Sequence, residues 1–282
     1  MKRIQEMLSE VTKIFQEGGL SHSQRQAEAL LCEFLHCSRA QLYAARQRPL
    51  SEQEWQQCDY WVQRRLTGEP LAYIAGQVEF YGCVIEVNRA VLIPRPETEI
   101  LVDQVVASLQ KQDLKGKSLW DICCGSGCIG IALKKALPPL SVYLSDASEQ
   151  AMDLAARNAA ANALEVTCLK GDLLAPFQGK KTHYFVCNPP YVSENEYAIL
   201  DKEVKEYEPR LALVAGENGL EFYRRLAQEL PDYLYPGGQG WLEIGYQQGP
   251  AVQRLFRGAP WKKNIVKNDW AGHHRFFFLE IE

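Results

Sequence analysis

Ser118-Leu-Trp-Asp-Ile-Cys-Cys-Gly-Ser-Gly-Cys-Ile-Gly130 is the stretch that decides how this chain folds. Ser118–Ile122 is short and apolar and is followed at once by turn residues, the pattern of a buried strand. Gly125, Gly127 and Gly130 then stand in the spacing G-x-G-x-x-G, and a helical pattern runs on to about Leu137. Strand, glycine turn and helix open a doubly wound α/β unit, whose ligand sits beyond the C-terminal end of the strand. Further strands are expected at Val142–Ser145, Val166–Lys170, Tyr184–Cys187 and Gly240–Ile244. Helices are expected from Ser148 to about Ala161, at Leu220–Leu230 and at Gly249–Phe256. Such alternation implies a mostly parallel sheet. Ile265–Asn268 and Arg275–Ile281 have no helix between them, so the last strand is expected to run antiparallel.

Upstream the pattern is helical. Ile4, Met7, Leu8, Val11, Ile14 and Phe15 recur at helical spacing, and Ala27, Leu30, Leu31, Phe34 and Leu35 make a second stripe. Ser51 and Glu54 form a capping box at the start of a third helix, with Leu50 and Trp55 as its hydrophobic staple. Residues 77–94 are β-prone, with turns at Gly82 and Asn88. Three parts are expected: a helical domain over residues 1–76, a linking β-hairpin over 77–94 and an α/β domain over 95–282.

The chain has 282 residues, 46% of them hydrophobic, enough for two packed domains. Its formal net charge of −4 argues against nonspecific duplex binding, which rests on neutralising phosphates with basic residues. The opening residues carry no apolar signal core, and no run has the length of a membrane span. Nine cysteines without a secretion signal read as reduced thiols, so a cytoplasmic chain is expected, with no membrane partner. Cys123, Cys124 and Cys128 cluster without a paired C-x-x-C or a nearby histidine, and a structural role is expected rather than a metal.

The glycine spacing fits a dinucleotide, and Asp146, ending the second strand, supplies an acid for a ribose diol. S-adenosylmethionine presents the same diol. Asp121 separates the two, because a carboxylate ahead of the turn repels a pyrophosphate and suits the amino group of a methionine moiety. Asp172, after the third strand, can meet an adenine amine. Asp121 and Asp172 each also fit a plain turn residue. Asn188-Pro189-Pro190-Tyr191 ends the fourth strand. Each proline fixes its own φ and holds the residue before it extended, so Asn188 and Pro189 present their oxygens in set directions. The expected use is to grip a flat –NH2 group: the Asn188 side-chain oxygen and the Pro189 carbonyl accept its N–H bonds, and Tyr191 stacks on its plane.

At these residues the chain resembles the PrmC/HemK family of release factor glutamine N5-methyltransferases. The likeness spans nearly the whole length. It includes Gly68–Gly76, Glu79–Gly82, Leu92–Glu99, Tyr207-Glu-Pro-Arg210 and Ala215–Gly219. It implies a Rossmann-like class I methyltransferase domain with a small N-terminal helical domain that helps hold the substrate. It also implies methyl transfer from S-adenosylmethionine to the glutamine of the Gly-Gly-Gln loop of class 1 release factors, supporting translation termination. Carried over, Cys123, Cys124, Gly125, Ser126 and Gly127 wrap the methionine end, Asp146 meets the ribose, and Asp172 and Leu173 flank the adenine. Asn188, Pro189, Pro190 and Tyr191 hold the substrate amide, with Asn188 also touching the cofactor. The family usually has glycine where this chain has Cys123. Arg95 and Glu97 either line the active site or order the domain junction. A monomer acting on protein, without direct nucleic-acid contact, is expected. The competing readings are an adenine N6-methyltransferase, which needs a basic recognition region, and an inactive cofactor-binding scaffold, which needs an eroded tetrapeptide.

Overall fold

The computed structural model describes residues 2–282. They divide into two compact units, 2–76 with 202–207, and 77–201 with 208–282. The first contains α1 (Ile4–Glu17), α2 (Ser23–Phe34), α3 (Arg39–Ala44), α4 (Glu52–Leu66) and α5 (Leu71–Ala75). Their apolar stripes meet in one core of Ile4, Met7, Phe15, Leu30, Leu31 and Val62 among others. The capping box at Ser51 is formed, its hydroxyl accepting from the Glu54 N–H at 3.1 Å and the Glu54 carboxylate accepting from the Ser51 N–H at 2.7 Å.

The second unit opens with β1 (Gln77–Phe80) and β2 (Cys83–Glu86), an antiparallel hairpin. Then follow α6 (Pro96–Leu109), β3 (Ser118–Ile122), α7 (Cys128–Ala136), β4 (Ser141–Asp146), α8 (Glu149–Ala161), β5 (Thr167–Lys170) and β6 (Thr182–Cys187). Beyond β6 come the short α9 (Glu194–Ala198) and α10 (Lys202–Tyr207), then α11 (Glu221–Tyr233), β7 (Leu234–Glu243), α12 (Gly249–Leu255), β8 (Trp261–Asn268) and β9 (His274–Ile281). The helix α10 clusters with the first unit, where Arg65 donates to Glu203 at 2.8 Å.

The strands from β3 to β9 make one sheet in the order β5-β4-β3-β6-β7-β9-β8. The first five are parallel, and β9 runs antiparallel between β7 and β8. The order reverses between β3 and β6, the topological switch point at which ligands of open α/β sheets bind. Trp120, Phe177, Phe185, Leu226, Leu242 and Phe277 are among the residues of the main core. Gly240 lies opposite Phe185 across the β6–β7 pair, because the ring occupies the space a side chain there would need.

Two expectations change. Val91–Ile93 forms no strand: Asn88 caps a turn there, its Oδ1 accepting the Ala90 N–H at 2.9 Å, and Pro94 follows. Nor is the hairpin a free linker. The Asn158 carboxamide pairs with the Glu86 backbone, accepting from its N–H at 2.7 Å and donating to its carbonyl at 3.0 Å, and Asn162 donates to the Val84 carbonyl at 2.8 Å. These bonds stitch the hairpin to α8.

A Cβ on Gly240 would lie 1.9 Å from the Phe185 ring. Gly240→Ala is therefore expected to cost about 1–3 kcal/mol through overpacking, read as a lower denaturant midpoint at unchanged slope.

Candidate functional site

The strand β3 delivers Asp121 to the base of the glycine turn, fully buried. Its Oδ2 accepts the Gly130 N–H at 2.7 Å, which ties the end of the strand to the first turn of α7. Its Oδ1 has no partner among the described residues. Burial pushes this carboxyl up to about 7; the Gly130 N–H opposes that rise, and the charge of Asp146 adds to it. Gly130 is required by this approach, since a Cβ there would meet Leu144 at 2.3 Å and the Asp121 carboxylate at 2.9 Å.

Above Asp121 the backbone turns through left-handed conformations at Cys123 (φ 59°), Gly125 (φ 53°) and Gly127 (φ 80°). Glycine takes such angles freely, whereas a side chain costs roughly 1–2 kcal/mol. Cys123 holds a backbone conformation that favours glycine, with its side chain packed against the main core. Asp146, at the tip of β4, accepts the Gly125 N–H and the Ser148 N–H, each at 2.9 Å. Burial raises its pKa, and those N–H groups pull it back.

Cys123, Cys124, Gly125, Ser126, Asp146, Asp172, Leu173 and Asn188 all line one cavity of about 330 Å³ at the switch point, within the size range of small-molecule sites. Gly127 and Asp121 do not line it. The Asp172 carboxylate is held by Arg225 through two bonds of 3.1 and 2.8 Å, a partner on α11 that no local pattern announces. On the opposite wall Arg95 and Pro94 line the cavity. Arg95 is fixed by the buried Glu208, which accepts from its Nη2 at 2.5 Å and from the Ile93 N–H at 3.2 Å. Arg95 thus lines the cavity while paired to Glu208.

The residues fit S-adenosylmethionine better than a dinucleotide. Two carboxylates bracket the turn, Asp146 at the cavity and the buried Asp121 beneath the turn, an acidic surround that suits a cationic ligand end and not a pyrophosphate. No atom lies within 4 Å of where a Gly125 Cβ would stand, so the turn faces open space.

From β6 the chain passes into Asn188, half-buried, and the buried Pro189 and Pro190. Asn188 and Pro190 line the cavity; Pro189 and Tyr191 do not. The Tyr191 ring packs against the main core, and its hydroxyl lies 3.5 Å from Glu243. The ring thus packs against the core, the alternative to a stack on the amide that the sequence also leaves open. Glu243, at the end of β7, is buried and accepts from the Thr98 hydroxyl at 2.7 Å. Burial raises its pKa, against the Thr98 hydroxyl and the charge of Arg275.

Two measurements probe the turn. The Asp121 carboxyl titrates higher folded than unfolded, so the stability it contributes is full below about pH 4 and is lost as pH rises through about 7. Asp121→Asn keeps an acceptor for the Gly130 N–H and cannot ionise, so its melting temperature is expected to fall less than wild type over that interval. At Cys123, valine places a β-branched side chain on a left-handed backbone. Denaturant unfolding is expected to show a loss of about 2 kcal/mol for Cys123→Val and a change within about 1 kcal/mol for Cys123→Gly.

Comparison with known proteins agrees with this geometry. Residues 6–76 match the family model of the PrmC N-terminal domain, and residues 97–212 that of the methyltransferase small domain. A release factor glutamine methyltransferase of Chlamydia trachomatis serovar L2 is 43% identical over 98% of this chain and 94% of that protein. One of Bacillus cereus is 37% identical over 99% of this chain and 100% of that protein. A solved methyltransferase from Pyrococcus furiosus, 17% identical, superposes with a TM-score of 0.52 over 77% of this chain and 96% of that one, which shows the fold alone. With identity of this level along almost its entire length, the chain belongs to the release factor glutamine methyltransferase family.

Proposed function

We propose that this chain transfers a methyl group from S-adenosylmethionine to the side-chain amide nitrogen of the glutamine in the Gly-Gly-Gln loop of class 1 release factors. The observation that carries this reading is the meeting of Asn188, at the tip of β6, with the glycine turn after β3 and Asp146 in one cavity. When bound, the cofactor supplies an electrophilic methyl group on a sulfonium leaving group.

The residues of the chain have a different task. An amide nitrogen is a poor nucleophile, because its lone pair is delocalised with a rotation barrier of roughly 18–20 kcal/mol. Hydrogen bonds of about 1–3 kcal/mol each do not offset that. Positioning contributes more, on the order of 7–11 kcal/mol. The Asn188 Oδ1 and the Pro189 carbonyl accept the two amide N–H bonds and fix the nitrogen in place. Those N–H bonds become more positive as the nitrogen attacks, so the acceptors bind more strongly in the transition state than in the ground state. Pro190 holds the Pro189 carbonyl in direction. In the same reading Cys123–Gly127 wrap the methionine end, Asp146 takes the ribose, and Leu173 and the backbone of Asp172 flank the adenine. Asp121 acts from beneath the turn.

We also read the chain as a cytoplasmic monomer acting on protein, its helical unit (1–76) holding the substrate. In support, all nine cysteines are free, and among the described residues no helix is long and apolar enough to cross a membrane.

Incubation with radiolabelled cofactor is expected to label a purified class 1 release factor and to leave one with the loop glutamine replaced unlabelled. Asn188→Ala is expected to lower transfer by about 100-fold or more, with cofactor affinity largely kept. Label appearing in nucleic acid, or surviving replacement of the glutamine, contradicts the reading.

A further inference from the structure

Tyr191 leaves the tetrapeptide through a junction of three backbone segments, and one side chain joins them. Gln248, just ahead of α12, donates its Nε2 to the Tyr191 carbonyl at 2.9 Å and to the Gly219 carbonyl at 3.2 Å. Its Oε1 accepts the Gly245 N–H at 3.0 Å. The surrounding backbone is cleared for this carboxamide. A Cβ on Gly219 would lie 2.2 Å from the Tyr191 carbonyl oxygen and 2.6 Å from the Gln248 Nε2, and one on Gly245 would lie 2.9 Å from the Gln248 Oε1. Gln248 does not line the cavity.

We propose that Gln248 is a positioning residue for methyl transfer: by holding the Tyr191 carbonyl it sets the direction in which Asn188 and Pro189 present their oxygens. This rests on the reading of Asn188 and Pro189 as the acceptors of the substrate amide. The prolines make the linkage stiff. Pro189 and Pro190 have fixed φ, and Asn188 and Pro189 are each held extended by the proline that follows. A shift of the Tyr191 peptide therefore has few torsions to absorb it before it reaches Asn188. A displacement near 1 Å at reacting groups costs about 100-fold in rate. The ring end of Tyr191 is restrained too, its hydroxyl facing Glu243, and the N–H of the same peptide, that of Val192, donates to the Leu213 carbonyl at 2.9 Å, so loss of the Gln248 bond lets this peptide pivot about that remaining bond.

The test compares Gln248→Ala, Gln248→Glu and Asn188→Ala by single-turnover methyl transfer to the release factor, with cofactor affinity from calorimetry and melting temperature alongside. Gln248→Ala is expected to lower the transfer rate about 10- to 100-fold, with the cofactor Kd and the release factor KM within about threefold. Gln248→Glu keeps the acceptor for Gly245 and loses the donor when ionised. Its rate relative to wild type is expected to fall as pH rises, a readout that lost packing alone does not move, and it serves if the alanine variant does not fold. An undiminished rate in Gln248→Ala overturns the inference. So does a loss matched by an equal loss of cofactor affinity, or a flat relative pH profile in Gln248→Glu. If Asn188→Ala transfers normally, the reading beneath fails instead; if it is inactive while Gln248→Ala is normal, only the role of Gln248 fails.

Discussion

The bond from the Gly130 N–H to the Asp121 carboxylate is the constraint on which the rest of the site depends. It joins the end of a central strand to the first turn of the helix that follows. An N–H in the first turn of a helix has no partner within the helix, and here the strand supplies it. The residues between the two are thereby forced into a tight loop whose middle faces the cavity. Gly130 permits the approach, the left-handed angles at Cys123, Gly125 and Gly127 complete the turn, and Asp146 takes the outward N–H of Gly125 from the neighbouring strand. A buried carboxyl with one satisfied oxygen is costly to keep ionised.

The parallel strands bring the remaining parts to the same edge. Ile122 and Cys187 are register partners on β3 and β6, so the glycine turn and the Asn-Pro-Pro-Tyr segment begin side by side. Methyl donor and acceptor can therefore meet without any large movement of the sheet. What has to be held is the direction of a few oxygens. In the proposed reading, rigid torsions in the tetrapeptide do this, together with side chains from β7 and from the turn after it.

Much of this is legible in the chain because it is local. The strand, the glycine spacing and the doubled proline each act within a few residues, and periodicity carries the alternation of strands and helices. The missing pieces depend on contacts between distant segments. Gln248 reaches Tyr191 across 57 positions, Arg225 reaches Asp172 across 53, and Glu208 reaches Arg95 across 113. Nothing in a glutamine before a Gly-Pro helix start marks it as the clasp of a loop so far away. The inward turn of Tyr191 was hidden for the same reason: the carboxylate it faces is on another strand. The hairpin looks like a mere connector in the sequence because its β-propensity is local, while the asparagines that fasten it lie on α8.

Those asparagines have a practical consequence. Asn158 bonds the Glu86 backbone and, through the same amide group, donates to the Ser126 carbonyl in the glycine turn at 2.9 Å. The hairpin is thus a splint on the cofactor loop. A truncated version cut after residue 94 removes that splint and leaves the Asn158 side chain with buried polar atoms short of partners. A stand-alone catalytic fragment should start ahead of Gln77, even though every residue assigned here to methyl transfer or cofactor contact follows Leu119.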